Sequence, residues 1–204
     1  YTLKSKIHTD FDMNREEAII QIEAMMTSDD IVVATTGKTS RELFELRTRK
    51  KQQHSNDFLT VGGMGHASQI ALGIAISKPD KIIYCFDGDG AVLMHTGCLG
   101  TVGSMKPTNY KHIVFNNGAH DSVGGQPTIG FDISFKELAM VFNYKDAYSV
   151  NTRNDLIQTF KDFKQSQGPS LLEIKINKGS RGDLGRPTIE PADNKVNFMQ
   201  KLQG

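Results

Sequence analysis

Only two cysteines, Cys85 and Cys98, occur in 204 residues, and they lack Cys-x-x-Cys spacing. A disulfide framework is not expected from such a pair, and two thiolates fall short of a four-ligand iron–sulfur cluster. They read as reduced packing residues of a cytoplasmic protein. An excess of charge is missing too. Lys+Arg number 24 against 23 Asp+Glu, so there is no electrostatic footprint for nucleic acid. No apolar run approaches a membrane span, and no signal-peptide pattern opens the chain. Internal repeats and low-complexity tracts are absent. What remains, 38% hydrophobic and 23% charged residues, is ordinary for one large globular domain or two small ones. The chain opens on Tyr1 rather than Met, as expected of a fragment or a processed subunit.

The stretch from Tyr84 to Ala91, Tyr-Cys-Phe-Asp-Gly-Asp-Gly-Ala, organises the rest. An apolar run opening at Lys81–Tyr84 predicts a buried strand, and the small and apolar residues of Ala91–Met105 predict a helix. A carboxylate between two glycines at such a junction suits a phosphate with its cation. The helix N-terminus offers free N–H groups, the glycines let the backbone approach, and Asp89 can hold the metal. A second strand, His112–Phe115, then ends in Asn116-Asn117. A helical crossover brings that strand parallel to the first and sets the asparagines beside Asp89. Carboxylate, amide and carbonyl oxygens there suit Mg²⁺ or Ca²⁺.

Elsewhere helices and strands alternate. Residues 1–12 read as a linker and 13–204 as the domain. Asn14 and Glu17 form a capping box before a helical repeat of apolar residues. Strands are expected at Ile31–Thr35, Phe58–Val61, Ala147–Val150 and Leu171–Ile176. Helices are expected at Arg41–Lys50, Ala67–Ser77, Ser134–Asn143, Asn151–Gln165 and Asn194–Leu202, with a functional loop over Gly118–Gly130. The fold class is α/β, an open, mainly parallel sheet with helices on both faces, which collects ligands at the carboxyl ends of its strands.

Further turns belong to that edge. Thr36-Gly37-Lys38-Thr39-Ser40 can present hydroxyls and N–H groups to a phosphate, or serve only as a glycine turn before a helix. Gly62-Gly63-Met64-Gly65 lets bare backbone approach a flat ring while Met64 projects an apolar wedge, or is a tight turn with a core methionine. Lys38 or Arg41 suits a substrate anion or a solvated helix start. His120 and Asp121 suit proton transfer or a loop-stabilising bond. His66 reads as a helix-start residue packed against the sheet. Arg181 and Arg186 suit bidentate recognition of a phosphonate or a partner chain, or simple exposure.

The Gly-Asp-Gly, spacer, Asn-Asn pattern resembles the signature of thiamine-diphosphate enzymes. The order of motifs resembles the diphosphate-binding domain of the pyruvate-decarboxylase-like members. Three stretches, Thr35–Phe44, Asn116–Thr128 and Lys178–Pro187, resemble more narrowly the phosphonopyruvate decarboxylase group. The resemblance implies Asp89, Asn117 and the Ala119 carbonyl as Mg²⁺ ligands. It places the Gly62 carbonyl and Met64 N–H on the aminopyrimidine, with the Met64 side chain bending the cofactor. Gly88, Gly90, Ala91 and Thr36, Gly37, Lys38 and Thr39 would hold the diphosphate, beside Asn117 and Ala119. The expected activity is non-oxidative decarboxylation of phosphonopyruvate to phosphonoacetaldehyde and CO₂.

The resemblance also implies a 2-keto acid substrate, a homo-oligomer, and a pyrimidine-binding domain or subunit supplying a glutamate to the aminopyrimidine. No such domain is in this chain, which is therefore expected to be inactive alone. The alternatives are a sulfopyruvate decarboxylase subunit and a cofactor-binding module without catalysis of its own. A 2-keto acid oxidoreductase subunit is disfavoured by the cysteine count.

Overall fold

A computed structural model describes residues 9–203. In chain order the helices are α1 (Arg15–Met25), α2 (Lys38–Arg49), α3 (Ala67–Ser77), α4 (Asp89–Met94), α5 (Gly97–Met105), α6 (Phe135–Val141), α7 (Arg153–Gln165) and α8 (Pro191–Gln203). The strands are β1 (Ile31–Ala34), β2 (Asp57–Leu59), β3 (Ile83–Gly88), β4 (Tyr110–Asn116), β5 (Ala119–His120), β6 (Gln126–Pro127), β7 (Asp146–Val150) and β8 (Ser170–Lys175). Six of them form one parallel sheet in the order β2-β1-β3-β4-β8-β7. The expected parallel α/β sheet is present, with β4 beside β3.

The strands carry long apolar runs because both faces are covered. Alternate residues point to opposite sides. Val32, Ala34, Tyr84 and Phe86 pack under α1, α2 and α7, with Ile22, Leu43, Phe160 and Phe163. Ile31, Val33, Ile83 and Cys85 pack the other way, with Ala71, Leu99, Phe135 and Phe198. Cys85 is buried, Cys98 half-buried, and both are free. Among the described residues no helix is long and apolar enough to cross a membrane.

The sequence expectations differ from the structure in instructive places. The helix expected over Ala91–Met105 is two helices, broken at His95, whose φ of −134° and ψ of 47° are not helical. The Gly118–Gly130 loop contains a short hairpin, β5 against β6, around a 3-10 turn at Asp121–Val123. Of the expected linker, residues 1–8 lie outside the described residues, while Phe11 is bonded through both its N–H and its carbonyl to the Asn177 side chain. The closing helix α8 covers the sheet edge. Its buried Asn194 accepts from Leu59 N at 3.0 Å and donates to Asp57 O at 3.0 Å, satisfying edge groups of β2 as a neighbouring strand would.

From β1 the chain runs outward to β2, then returns to the other side of β1 with β3. This reversal opens a crevice at the carboxyl ends of β1 and β3. Thr36 and Asp89 stand there.

Candidate functional site

The crevice is a small cavity, and the turns singled out above converge on it. Thr36, Lys38, Thr39, Met64, Gly88, Asp89, Gly90, Ala91, Asn117, Ala119, His120 and Asp121 all line it. Gly62 and Gly37 do not. Gly62 donates its N–H to the Thr36 hydroxyl at 3.1 Å, and Gly37 lines a neighbouring cavity instead. Asp87 turns away from the site. Its carboxylate accepts from Gly88 N at 3.0 Å and lies 3.5 Å from His112 Nε2 in the core. His66 is an exposed residue at the start of α3, and its ring lies against His95 (centroids 4.4 Å apart) rather than against the sheet.

Asp89 is the buried carboxylate of the cavity, 2% exposed at the first position of α4. Burial pushes its carboxyl above the usual carboxylate range. The Thr128 hydroxyl and the N–H groups of Gly90 and Asn117 work against that by favouring the charged form. Among the described residues no Lys or Arg forms an ion pair with it. A desolvated carboxylate paired with no Lys or Arg is a fitting place for a divalent cation. A Cβ on Gly130 would stand 2.7 Å from Asp89 Oδ2, so only glycine lets the returning loop close over this oxygen.

The two asparagines divide the work. Asn116 is buried, donating to Gly130 O at 2.6 Å and Glu173 Oε1 at 2.7 Å, and so anchors the loop. Asn117 faces the cavity, donates to Asp121 Oδ2 at 2.7 Å and accepts from Ala119 N at 3.0 Å through Oδ1. That amide oxygen keeps a second lone pair. Ala119 and Pro127 are a non-hydrogen-bonded pair of the hairpin, next to the bonded pair in which Thr128 N donates to Gly118 O at 2.9 Å, so the Ala119 carbonyl has no donor across the hairpin. Three residues that carry hard oxygen donors, Asp89, Asn117 and Ala119, thus line one cavity, a set that suits Mg²⁺. Thr35 lines the same cavity, and its buried Oγ1 has no hydrogen-bond partner among the described residues.

His120 lies directly on the Gly90 backbone, where a Cβ would meet its ring at 2.4 Å. Asp121 is held by Asn117, by Gly179 N at 2.9 Å and by Arg15 at 3.6 Å. It therefore fixes one loop to another. Arg15 is a lining residue that the sequence reading missed. Its guanidinium forks onto Glu42 (2.7 and 3.1 Å), with both residues buried. Thr35, Phe115, Ser122 and Val123 also line the cavity. All but Phe115 stand within the stretches whose resemblance is described above, whereas nothing local in the sequence marks Arg15.

Residues 35–174 match the model of the thiamine pyrophosphate enzymes' C-terminal TPP binding domain; thiamine pyrophosphate is thiamine diphosphate. A phosphonopyruvate decarboxylase of Streptomyces viridochromogenes is 38% identical over 179 residues, 88% of this chain and 44% of its own length. The chain thus spans less than half of that relative. The sulfopyruvate decarboxylase subunit beta of Methanocaldococcus jannaschii is 36% identical over 192 residues, 93% of this chain and 97% of the subunit. The X-ray structure of a putative thiamin diphosphate-dependent enzyme from Mycobacterium smegmatis shares the fold, with a TM-score of 0.68 at 22% identity, over 81% of this chain and 32% of that one. The chain belongs to the thiamine pyrophosphate enzymes, as their C-terminal TPP-binding domain.

Proposed function

We propose that this chain is the diphosphate- and Mg²⁺-holding part of a thiamine-diphosphate-dependent decarboxylase that converts phosphonopyruvate to phosphonoacetaldehyde and CO₂. Residues 13–204 form the domain and 1–12 the linker. The observation that carries the reading is that Asp89, Asn117 and Ala119 line one cavity with Thr36, Lys38 and Thr39. The resemblance of Thr35–Phe44, Asn116–Thr128 and Lys178–Pro187 to phosphonopyruvate decarboxylases supports the substrate.

When bound, thiamine diphosphate supplies the electron sink for the bond to CO₂. The chain's residues supply position and field. Asp89, Asn117 and the Ala119 carbonyl would hold Mg²⁺. The backbone of Gly90 and Ala91 and the N-terminus of α2 would receive phosphate oxygens. Met64 would press on the cofactor from the turn made by Gly62, Gly63 and Gly65, all at positive φ (73°, 57° and 84°). The Gly62 carbonyl would face the aminopyrimidine. His120, which lies on Gly90, would hold or move a proton, with Asp121 the other candidate.

The glutamate for the aminopyrimidine belongs to a pyrimidine-binding domain or subunit, and the assembly is a homo-oligomer of the combined site. The test is decarboxylation of phosphonopyruvate and sulfopyruvate by the chain with and without that partner, in Mg²⁺ and thiamine diphosphate. Preference for sulfopyruvate would support the second reading, a sulfopyruvate decarboxylase subunit. That reading is favoured by the near-complete match to a separate beta subunit. Cofactor binding without turnover, even with the partner, would leave a binding module.

A further inference from the structure

Arg181 and Arg186 share one glycine-rich segment, but the structure gives them different surroundings. Arg181 is consumed by acidic neighbours: Glu16 at 3.1 Å, Asp183 at 3.0 Å, and Glu45. Arg186 has no ion pair among the described residues and lines a second cavity of about 370 Å³. This cavity adjoins the candidate cofactor site, because Thr36 and Ser122 line both.

The way Arg186 is presented is built into the fold. Arg41, on α2, donates to Gly185 O at 2.5 Å and to Leu184 O, pinning the backbone immediately before Arg186 to the cavity wall. Two guanidinium groups, Arg41 and Arg186, therefore stand on this wall against one carboxylate, Glu190. At the junction of the two cavities the Thr36 hydroxyl accepts from Gly62 N at 3.1 Å, and the Ser122 hydroxyl accepts from Lys38 N at 3.3 Å. Neither hydroxyl proton is donated to a described residue, so both are free to donate to a ligand or to water. Lys38 lines the cofactor side and not this cavity, which leaves its charge to the diphosphate.

We propose that the second cavity receives the tetrahedral anion of the substrate, a phosphonate or sulfonate one carbon from the 2-keto group, and that Arg186 is the residue that reads it. A guanidinium matches two oxygens of such a group at once, which a lysine point charge does not. The Thr36 and Ser122 hydroxyls stand between that anion and the reacting carbon. The assignment rests on the proposed decarboxylation and names its specificity determinant.

The test uses the complete protein, with the pyrimidine-binding part, Mg²⁺ and thiamine diphosphate. The readout is the ratio of kcat/KM for phosphonopyruvate or sulfopyruvate to kcat/KM for pyruvate. Arg186→Ala is expected to lower that ratio on the order of a hundredfold, mainly through KM, as loss of one partner of a charge-assisted pair does. Arg186→Lys should recover part of it. An unchanged ratio overturns the assignment. Methylphosphonate titrated calorimetrically into the same proteins needs no turnover. Binding to wild type that is lost or at least about tenfold weaker in Arg186→Ala supports the site. Equal binding, or none to either, overturns it. If wild type decarboxylates none of the three acids, the activity reading fails separately, and methylphosphonate alone judges the anion site.

Discussion

The Asp89 carboxylate accepts a hydrogen bond from the hydroxyl of Thr128, 39 residues further along the chain. Through that bond the loop that returns over the site is fastened to the oxygen expected to carry the cation. Ligand and loop are thus a single unit. A residue that orients a metal ligand commonly contributes 10–100-fold to affinity.

Asp89→Ala should therefore abolish Mg²⁺-dependent binding of thiamine diphosphate while leaving the circular dichroism spectrum unchanged. Thr128→Ala should keep Mg²⁺ dependence but weaken binding by about tenfold. Calorimetric titration in Mg²⁺ and in chelator decides the matter. Tight, Mg²⁺-dependent binding by Asp89→Ala would remove Asp89 from the metal site.

Met64 is half-buried and faces the cavity from a turn of three left-handed glycines. If its side chain supports the cofactor, Met64→Ala leaves a gap under the rings and weakens binding by about 2 kcal/mol or more, while Met64→Leu fills it at little cost. A packing role alone predicts a lower melting temperature in both the free and bound protein with affinity unchanged. Titration and melting of both variants separate the two.

Arg15 lines the cavity and forms a buried pair with Glu42, which does not line it. Burial pushes the Glu42 carboxyl above its ordinary value of 4.5, although Arg15 pulls it down. Arg15→Met should destabilise the fold by about 3–5 kcal/mol near neutral pH, because a buried carboxylate is left unpaired. Stability tied to a raised carboxyl is complete below the unfolded value and lost as pH rises through the folded one. Without Arg15 the folded value rises further. The variant's deficit should then shrink as pH falls from about 7.5 to about 5. Urea melts at the two pH values measure this, and a constant deficit contradicts the account. Arg15→Met with Glu42→Leu should recover much of the loss.

Much of this was legible where structure is decided locally. The β-branched run at Ile31–Ala34 and the apolar run before Asp87 are strands whose ends are marked by glycines, so Thr36, Asp89 and Asn117 fell on one sheet edge without any knowledge of contacts. What escaped was set by distant neighbours. Arg15 reads as the first residue after a helix cap, and only its meeting with Glu42 and Asp121 brings it to the cavity. The break at His95 has no proline to announce it. Gly65 packs on the His95 ring, and the Phe142 carbonyl lies where a Cβ of Gly103 would be, so two tertiary contacts place α4 and α5. The pairing of β5 with β6 is likewise too short for periodicity to show.

The acidic residues around the cavity bear on what this chain does alone. Among the described residues no glutamate lines the cavity. Glu42 is gripped by Arg15, Glu45 by Arg181 and Gly185 N, Glu16 by Arg49 and Arg181, and Glu23 by Arg47 and Lys50. Glu17 closes the cap of α1, Glu137 sits in the first turn of α6, and Glu173 is bonded to Asn116 and Ser149 in the sheet. Glu190 lines the neighbouring cavity. The cavity's acidic residues are Asp89 and Asp121, and both already serve the loops that would hold the diphosphate end. On the proposed reading, the carboxylate for the aminopyrimidine, at the other end of the cofactor, comes from the pyrimidine-binding domain or subunit. Exchange of the thiazolium C2 proton by this chain alone should be slower than in the assembled enzyme by about 10²–10⁴-fold, the usual contribution of a general acid–base group. Adding the pyrimidine-binding part should restore it. Proton exchange in deuterium oxide, followed by NMR with the chain saturated with cofactor, measures this directly. Rapid exchange without the partner would point to a base within the chain, with His120 the first to replace.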